Sequence, residues 1–192
     1  MPTTVLNTLA VSGTPALTPS KRQGITAVGA AKLCASLQTN MSLTILDCSW
    51  NGPAFGLEGG KAIARALQSN RSLITLRADG NAFGDEGAQA LAEALVSNGH
   101  LSELHLSHND IGEMGGQALC EMLQDNRCLQ KFSVHHNNLG SVFGLALGRM
   151  LRVNRTLQIL NAGEQKYDLG VEAHKLIRQA LLDHPSVTDL IC

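Results

Sequence analysis

The chain has 192 residues, enough for one domain that buries roughly 70% of its unfolded surface. Hydrophobic residues make up 44% and charged residues 16%, while aromatics reach only 3%, so the core must be built in thin layers of Leu, Ile, Val and Ala. A net charge of −1 excludes an electrostatic footprint for nucleic acid or for an anionic membrane. No acidic residue precedes Asp47, and only Lys21, Arg22 and Lys32 carry charge before it.

Along the chain the same frame recurs, Leu-x-x-Leu-x-(Leu/Val/Ala/Cys)-x-x-Asn. Leu6, Leu9, Val11 and Thr14 open it, with Thr in the Asn slot. Then come Leu43-Leu46-Cys48-Asn51, Leu73-Leu76-Ala78-Asn81, Leu101-Leu104-Leu106-Asn109 and Leu129-Phe132-Val134-Asn137. Leu157-Leu160-Ala162-Gln165 puts Gln in the Asn slot, and Val187-Leu190-Cys192 begins a last copy. Internal repetition of this kind decides the fold before any single residue does.

Each frame predicts a short strand, and the residues after it predict a helix. An apolar residue and Gly (Phe55-Gly56, Phe83-Gly84, Ile111-Gly112, Leu139-Gly140, Leu169-Gly170) lead into apolar pairs four residues apart. Those pairs are Leu33/Leu37, Ile63/Leu67, Leu91/Leu95, Leu119/Leu123, Leu147/Leu151 and Ile177/Leu181. Three residues later stands Asn40, Asn70, Asn98, Asn126, Asn154 or His184, which reads as a stop in the left-handed conformation. The longer copies carry their extra residues between strand and helix: Pro15 to Gln23, Gly52-Pro53 and Lys166-Tyr167-Asp168. Per-repeat insertions map to one rim of a stacked array. One unit cannot bury its apolar face alone, but stacked units share a core.

The pattern resembles the ribonuclease-inhibitor-like leucine-rich-repeat family from Leu6 to Cys192. That family includes ribonuclease inhibitor, the Ran GTPase-activating protein and the repeat domains of nucleotide-binding innate-immune receptors. The resemblance implies an α/β fold, a right-handed α/β horseshoe with a parallel sheet on the concave face and helices on the convex face. It implies one domain over residues 1–192, about six strand-helix units plus a terminal strand. The chain is much shorter and poorer in Cys than ribonuclease inhibitor. It lacks a G-x-x-x-x-G-K-(S/T) loop and the acidic tail of the Ran activator. Stopping within a strand reads as a fragment or as an end capped by a partner.

Side chains alternate along a strand. Frame positions 1, 4 and 6 are therefore expected in the core, and positions 3, 5 and 7 on the concave face. Position 8 lies just beyond, near the insertion rim. Position 5 carries Asp47, Arg77, His105, Ser133 and Asn161, and position 7 carries Ser49, Asp79, Ser107, His135 and Gly163. Position 8 carries Gly13, Trp50, Gly80, His108, His136 and Glu164. Strands about 4.8 Å apart set Asp47 opposite Arg77 and Glu103 opposite Lys131, as surface salt bridges or as polar contacts around a partner. Trp50, the single Trp, is a binding hot spot or a cover for the Gly52-Pro53 loop. His105, His108, His135 and His136 cluster on two adjacent repeats. They read as ordinary surface, partner contacts or a pH sensor, and no metal site is expected because strand side chains splay apart.

Catalytic signals are absent, so no enzyme and no cofactor is expected. No nucleophile has a base placed by motif, and carboxylates such as Asp85 and Glu86 sit in helix first turns, where the dipole favours them. The Cys residues 34, 48, 120, 128 and 192 are odd in number and form no C-x-x-C, which fits reduced thiols in an intracellular compartment. Cys34 and Cys120 fill a small-residue slot on the helices, and Cys48 and Cys192 fall at core position 6. Asn40, Asn70 and Asn154 match the glycosylation pattern only because the helix stop precedes Ser or Thr. No stretch is apolar enough to span a membrane, and the first residues lack the layout of a signal peptide.

The expected function is a protein-protein interaction module or scaffold subunit. Its contacts would come from Asp47, Trp50, Arg77, Asp79, His105, His108, His135 and His136. The partner would be another protein, in a large assembly such as a cytoskeletal one, without direct nucleic-acid or membrane contact. The location would be intracellular, cytoplasmic or cytoskeleton-associated. Alternatives are a GTPase regulator similar to the Ran activator, or a ligand-sensing repeat fragment of an immune-type receptor.

Overall fold

The structure, a computed structural model, describes residues 7–12, 25–183 and 187–192. The Leu6, Gly13, Thr14, Pro15 to Gln23 and His184 assignments lie outside the described residues. Strands and helices alternate through the chain. The strands are β1 (Thr8–Ala10), β2 (Ile45–Asp47), β3 (Thr75–Arg77), β4 (Glu103–His105), β5 (Lys131–Ser133), β6 (Ile159–Asn161) and β7 (Asp189–Ile191). The helices are α1 (Ala27–Thr39), α2 (Gly56–Ser69), α3 (Gly84–Val96), α4 (Glu113–Asp125), α5 (Ser141–Val153) and α6 (Val171–Asp183). The Gly52-Pro53 insertion is taken up as a 3-10 turn over Gly52–Ala54.

All seven strands join one parallel sheet in chain order. The register pairs each frame position with itself in the next repeat, as in Leu46 with Leu76 and Leu104 with Phe132. Leu46, Leu76 and Leu104 at position 4 and Cys48, Ala78, Leu106 and Val134 at position 6 are fully buried, which bears out the core assignment. Each helix covers the sheet through its apolar pair, and Ile63, Leu67, Leu91, Leu95, Leu119 and Leu123 are buried to 1% exposure or less. All four Phe are buried, and the rings of Phe55 and Phe83 lie 5.9 Å apart.

Two rows of amide side chains tie the repeats together. At the end of each strand, Nδ2 of Asn81 donates to the carbonyls of Ala78 in its own repeat and Cys48 in the previous one, both at 3.0 Å. Its Oδ1 accepts the backbone N–H of Asn51 at 2.9 Å. Asn109, Asn137 and Gln165 repeat this pattern, so Gln is a working member of the row. A second row runs along the helix ends. Nδ2 of Asn70 donates to Leu37 at 2.7 Å and to Asn40 at 3.0 Å, while its Oδ1 accepts from the backbone of Ser72 and Leu73.

That second row corrects the expected left-handed stop. Asn40, Asn70, Asn126 and Asn154 have extended backbones, with φ between −67 and −76°. The amides of Asn70, Asn126 and Asn154 satisfy buried main-chain groups, which would otherwise cost about 1–3 kcal/mol each. Because Asn70 and Asn154 are buried, their glycosylation patterns are closed to modification.

Helix starts are also tied across repeats. Asp85 on α3 accepts the N–H groups of Gly112 and Gly115, both at 2.8 Å, at the start of α4. Glu113 does the same for Phe143 on α5, at 2.8 Å. The acids thus favour the positive end of the following helix. Cys34, Cys48 and Cys120 are buried, and burial pushes the Cys34 thiol up to about 11 and the other two higher still. Cys192 departs from its expected core position: it is exposed, because β7 is the edge strand of the sheet. Among the described residues, no helix is long and apolar enough to cross a membrane.

Candidate functional site

The backbone turns out of the sheet at frame position 8 in every described repeat. Trp50 (φ 63°), Gly80 (67°), His108 (55°), His136 (50°) and Glu164 (54°) all adopt the left-handed conformation. The register continues through this turn. The N–H of Trp50 donates to Asp79, that of Gly80 to Ser107, that of His108 to His135 and that of His136 to Gly163. The next residue is the buried amide of the strand-end row. Position 8 is therefore locked from both sides into a conformation that costs an L-residue about 1–2 kcal/mol. Only Gly80 fits it without strain. Trp50, His108 and His136 keep large side chains there.

Those side chains meet. A Cβ on Gly80 would stand 2.3 Å from Cε3 of Trp50, so the glycine is the floor on which the indole lies. The indole reaches across that repeat to His108, with ring centroids 5.1 Å apart. His108 stacks on His136 at 4.2 Å and 22°. His135 closes the group edge-on, 5.4 Å from His108 and 5.0 Å from His136. Ligand nitrogens of His108, His135 and His136 all lie within 4.8 Å of one another, so the expected splaying does not hold for these three. His136 also pairs with Glu164, a residue absent from the sequence-based candidate set.

Electrostatics at the cluster oppose protonation. Burial, then the neighbouring imidazoles of His136 and His135, lower the pKa of His108. Burial and His136 do the same for His135. Asp79 and Glu164 pull both the other way without prevailing.

Of the remaining candidates, Asp47, Arg77 and His105 lie on the strands, while Asp79 lies just past β3 and near enough to act on His108 and His135. Asp79 accepts the Ser107 N–H at 2.7 Å and so ties its strand to the next. Asp47 and Arg77 are register partners, but among the described residues they form no ion pair. Burial raises the Asp47 pKa, yet hydrogen bonds from the Ser49 backbone and from the Ser12 and Ser49 side chains, with the charge of Arg77, outweigh it and hold the carboxyl below the usual range. Glu103 binds His105 at 2.8 Å and reaches Lys131 only at 4.0 Å, so its main partner is on its own strand. Position 7 is less outward than its alternation implies. Ser49 and Ser107 are buried, and the Ser107 hydroxyl bonds that of Ser133 at 3.0 Å. The one sequence signal for the left-handed turn was Gly13 and Gly80 sharing a position with Trp50, His108 and His136.

The leucine-rich-repeat family profile matches residues 39–64, 69–92 and 97–120. No curated protein matches the sequence. Among solved structures, a leiomodin-1 structure described as its actin-binding site 2 is similar with a TM-score of 0.61 and 17% identity, over 67% of this chain and 75% of that one. The tropomodulin C-terminal domain of Caenorhabditis elegans is similar with a TM-score of 0.59 and 17% identity, over 69% of this chain and 81% of that one. At this identity the likeness is one of fold. The three matched repeats, the register of the parallel sheet and the helix in each unit give this chain a leucine-rich-repeat α/β solenoid fold.

Proposed function

We propose that residues 1–192 act as one protein-binding module or scaffold subunit. The partner docks on the sheet face and the adjoining strand-to-helix rim. Contacts come from Asp47, Trp50, Arg77, Asp79, His105, His108, His135 and His136. The observation that carries this reading is the set of rings at position 8. Trp50, His108 and His136 occupy a left-handed turn that glycine fills without strain. Left-handed backbone recurs in this turn at Ala82, Asp110 and Glu164 as well, so the reading rests on the large rings held there, since strain of this kind clusters at functional surfaces. Trp is also the residue type most enriched where binding energy concentrates. A net charge of −1 favours a protein partner over nucleic acid or a membrane surface. The module works by binding, without a cofactor.

Actin is the first partner to test, because one of the similar folds is described as an actin-binding site. In this reading the chain belongs to a large cytoskeletal assembly in the cytoplasm. The test uses co-sedimentation with filaments and a titration with monomeric actin, comparing wild type with a Trp50→Ala, Arg77→Glu double variant. Circular dichroism checks that the variant is folded. Binding by wild type and its loss in the folded variant is the expected result. Equal binding by both would remove the rim and sheet face from the interface. If actin does not bind, capture from cell extract with the same pair of proteins replaces it.

A further inference from the structure

We propose that His108, His135 and His136 form a binding site for a divalent transition-metal ion of the zinc class, with Glu164 as fourth ligand. Three observations lead there. First, the three imidazoles already converge, with one ligand nitrogen from each within 4.8 Å of the others. A tetrahedral zinc with bonds of about 2.1 Å spaces its ligands about 3.4 Å apart. Closing that gap of up to about 1.4 Å takes rotation of the side chains, which also turns the stacked rings of His108 and His136 toward one ion.

Second, the donors are available. Among the described residues, the imidazoles of His108 and His135 make no hydrogen bond. Glu164 stands beside His136 and brings an anionic oxygen to the site. The groups facing these rings are Asp79, Glu164 and His105. A cation would also find the carboxylates of Asp79 and Glu164 nearby. Imidazole nitrogen selects zinc, copper, nickel or cobalt over magnesium and calcium.

Third, the architecture places the ligands without a linear motif. His108 and His136 hold the same left-handed position on adjacent repeats, so the register stacks them. His135 precedes His136 and joins from just past β5. The spacing of 27 and 28 residues therefore reflects one repeat.

The site stands independently of the docking reading. The experiment is isothermal titration of zinc chloride into protein free of any histidine tag, near pH 7, with magnesium as comparison. Cobalt(II) absorption reads the coordination, and Trp50 emission reads the site because the indole lies 5.1 Å from His108. One saturable zinc per chain is expected, with a tetrahedral cobalt spectrum and no magnesium binding. His108→Ala and His135→Ala should each lose about tenfold or more in affinity, with unchanged circular dichroism. Glu164→Gln should lose less, and His100→Ala, outside the cluster, nothing.

Absence of saturable zinc binding by wild type would overturn the proposal. So would an octahedral cobalt spectrum, wild-type affinity in both His108→Ala and His135→Ala, or equal loss in His100→Ala. Chelator-treated protein that binds actin but fails these tests would keep the docking surface and remove the metal site. The reverse result would do the opposite.

Discussion

Replacing His108 by Gly and, separately, by Ala tests directly whether the turn is strained. Both changes delete the ring and its contacts with Trp50 and His136, worth about 0.5–1.5 kcal/mol. Only Gly also relaxes the backbone, held at φ 55° by the strand-end row and the bond to His135. That relaxation returns about 1–2 kcal/mol, from which glycine's greater freedom in the unfolded chain removes about 0.5–1 kcal/mol. His108→Ala should therefore destabilise by about 1 kcal/mol. His108→Gly should stay within about 0.5 kcal/mol of wild type and above the Ala variant. Urea unfolding followed by circular dichroism measures the difference, and in a chain of this size it also appears as about 2–4 °C in Tm per kcal/mol. The same pair at exposed Glu121 in α4 should show the reverse order, with Ala above Gly by about 1 kcal/mol. Equal stability at 108, or Ala above Gly, would show that the turn is not held left-handed in solution and would remove the premise of the binding surface.

Asn109→Ala should cost about 2–5 kcal/mol in the same assay, because it strands the carbonyls of Ala78 and Ser107 and the N–H of Asn81 in a buried position; a loss well under 1 kcal/mol would mean that water satisfies them. Gly80→Ala should expel the indole, since the new Cβ would overlap Cε3 and the φ of 67° disfavours it. Emission from Trp50 should shift to the red, and an unchanged spectrum would place the indole elsewhere. Stability should also fall in mild acid. His108 and His135 have lowered folded-state pKa values, so between those values and the unfolded value of about 6.5 the unfolded chain holds more protons. Their stabilising contribution is complete above about pH 6.5 and is lost as pH falls through the folded values. Urea midpoints in wild type and in a His108→Gln, His135→Gln double variant should diverge above that window and converge below it.

The fold was legible because the leucine frame carries its own register. Leu46, Leu76 and Leu104 recur at the spacing at which strands stack, and the structure buries all three. The amide slots were also visible, but their mechanism at the helix ends was not. An Asn after a helix fits a left-handed stop as well as a side chain reaching into the previous repeat, and only the backbone angles of Asn70 and Asn126 separate the two. Alternation along the strand failed at its end for the same reason it worked inside. It assumes extended backbone, and position 8 leaves it. The left-handed turn re-aims His108 and His136 toward each other, which no period of two predicts. The pairing of Asp47 with Arg77 follows from their shared frame position and the spacing of strands, whereas the carboxylate accepts the Ser49 N–H at 3.0 Å in its own repeat.

What the frame leaves open is where function is written. Positions 4 and 6 fill the core, the strand-end amide bonds its own repeat to the previous one, and the helix-end Asn closes the other side. None of these tolerates much change, because each leaves a void or an unpaired main-chain group. Positions 3, 5, 7 and 8 carry no such duty. Ser49, Ser107 and Asp79 make bonds between strands and brace the sheet edge as well. Position 8 is different: its backbone needs glycine and its side chain serves no layer of the core. Yet three of the five described repeats put an aromatic or imidazole ring there, and the fourth supplies the glycine that lets Trp50 lie down. A stacking requirement alone would fill this turn with small residues throughout. Rings gathered across four repeats, at a standing cost in backbone strain, are what the proposed docking surface uses and what folding of the repeats does not need.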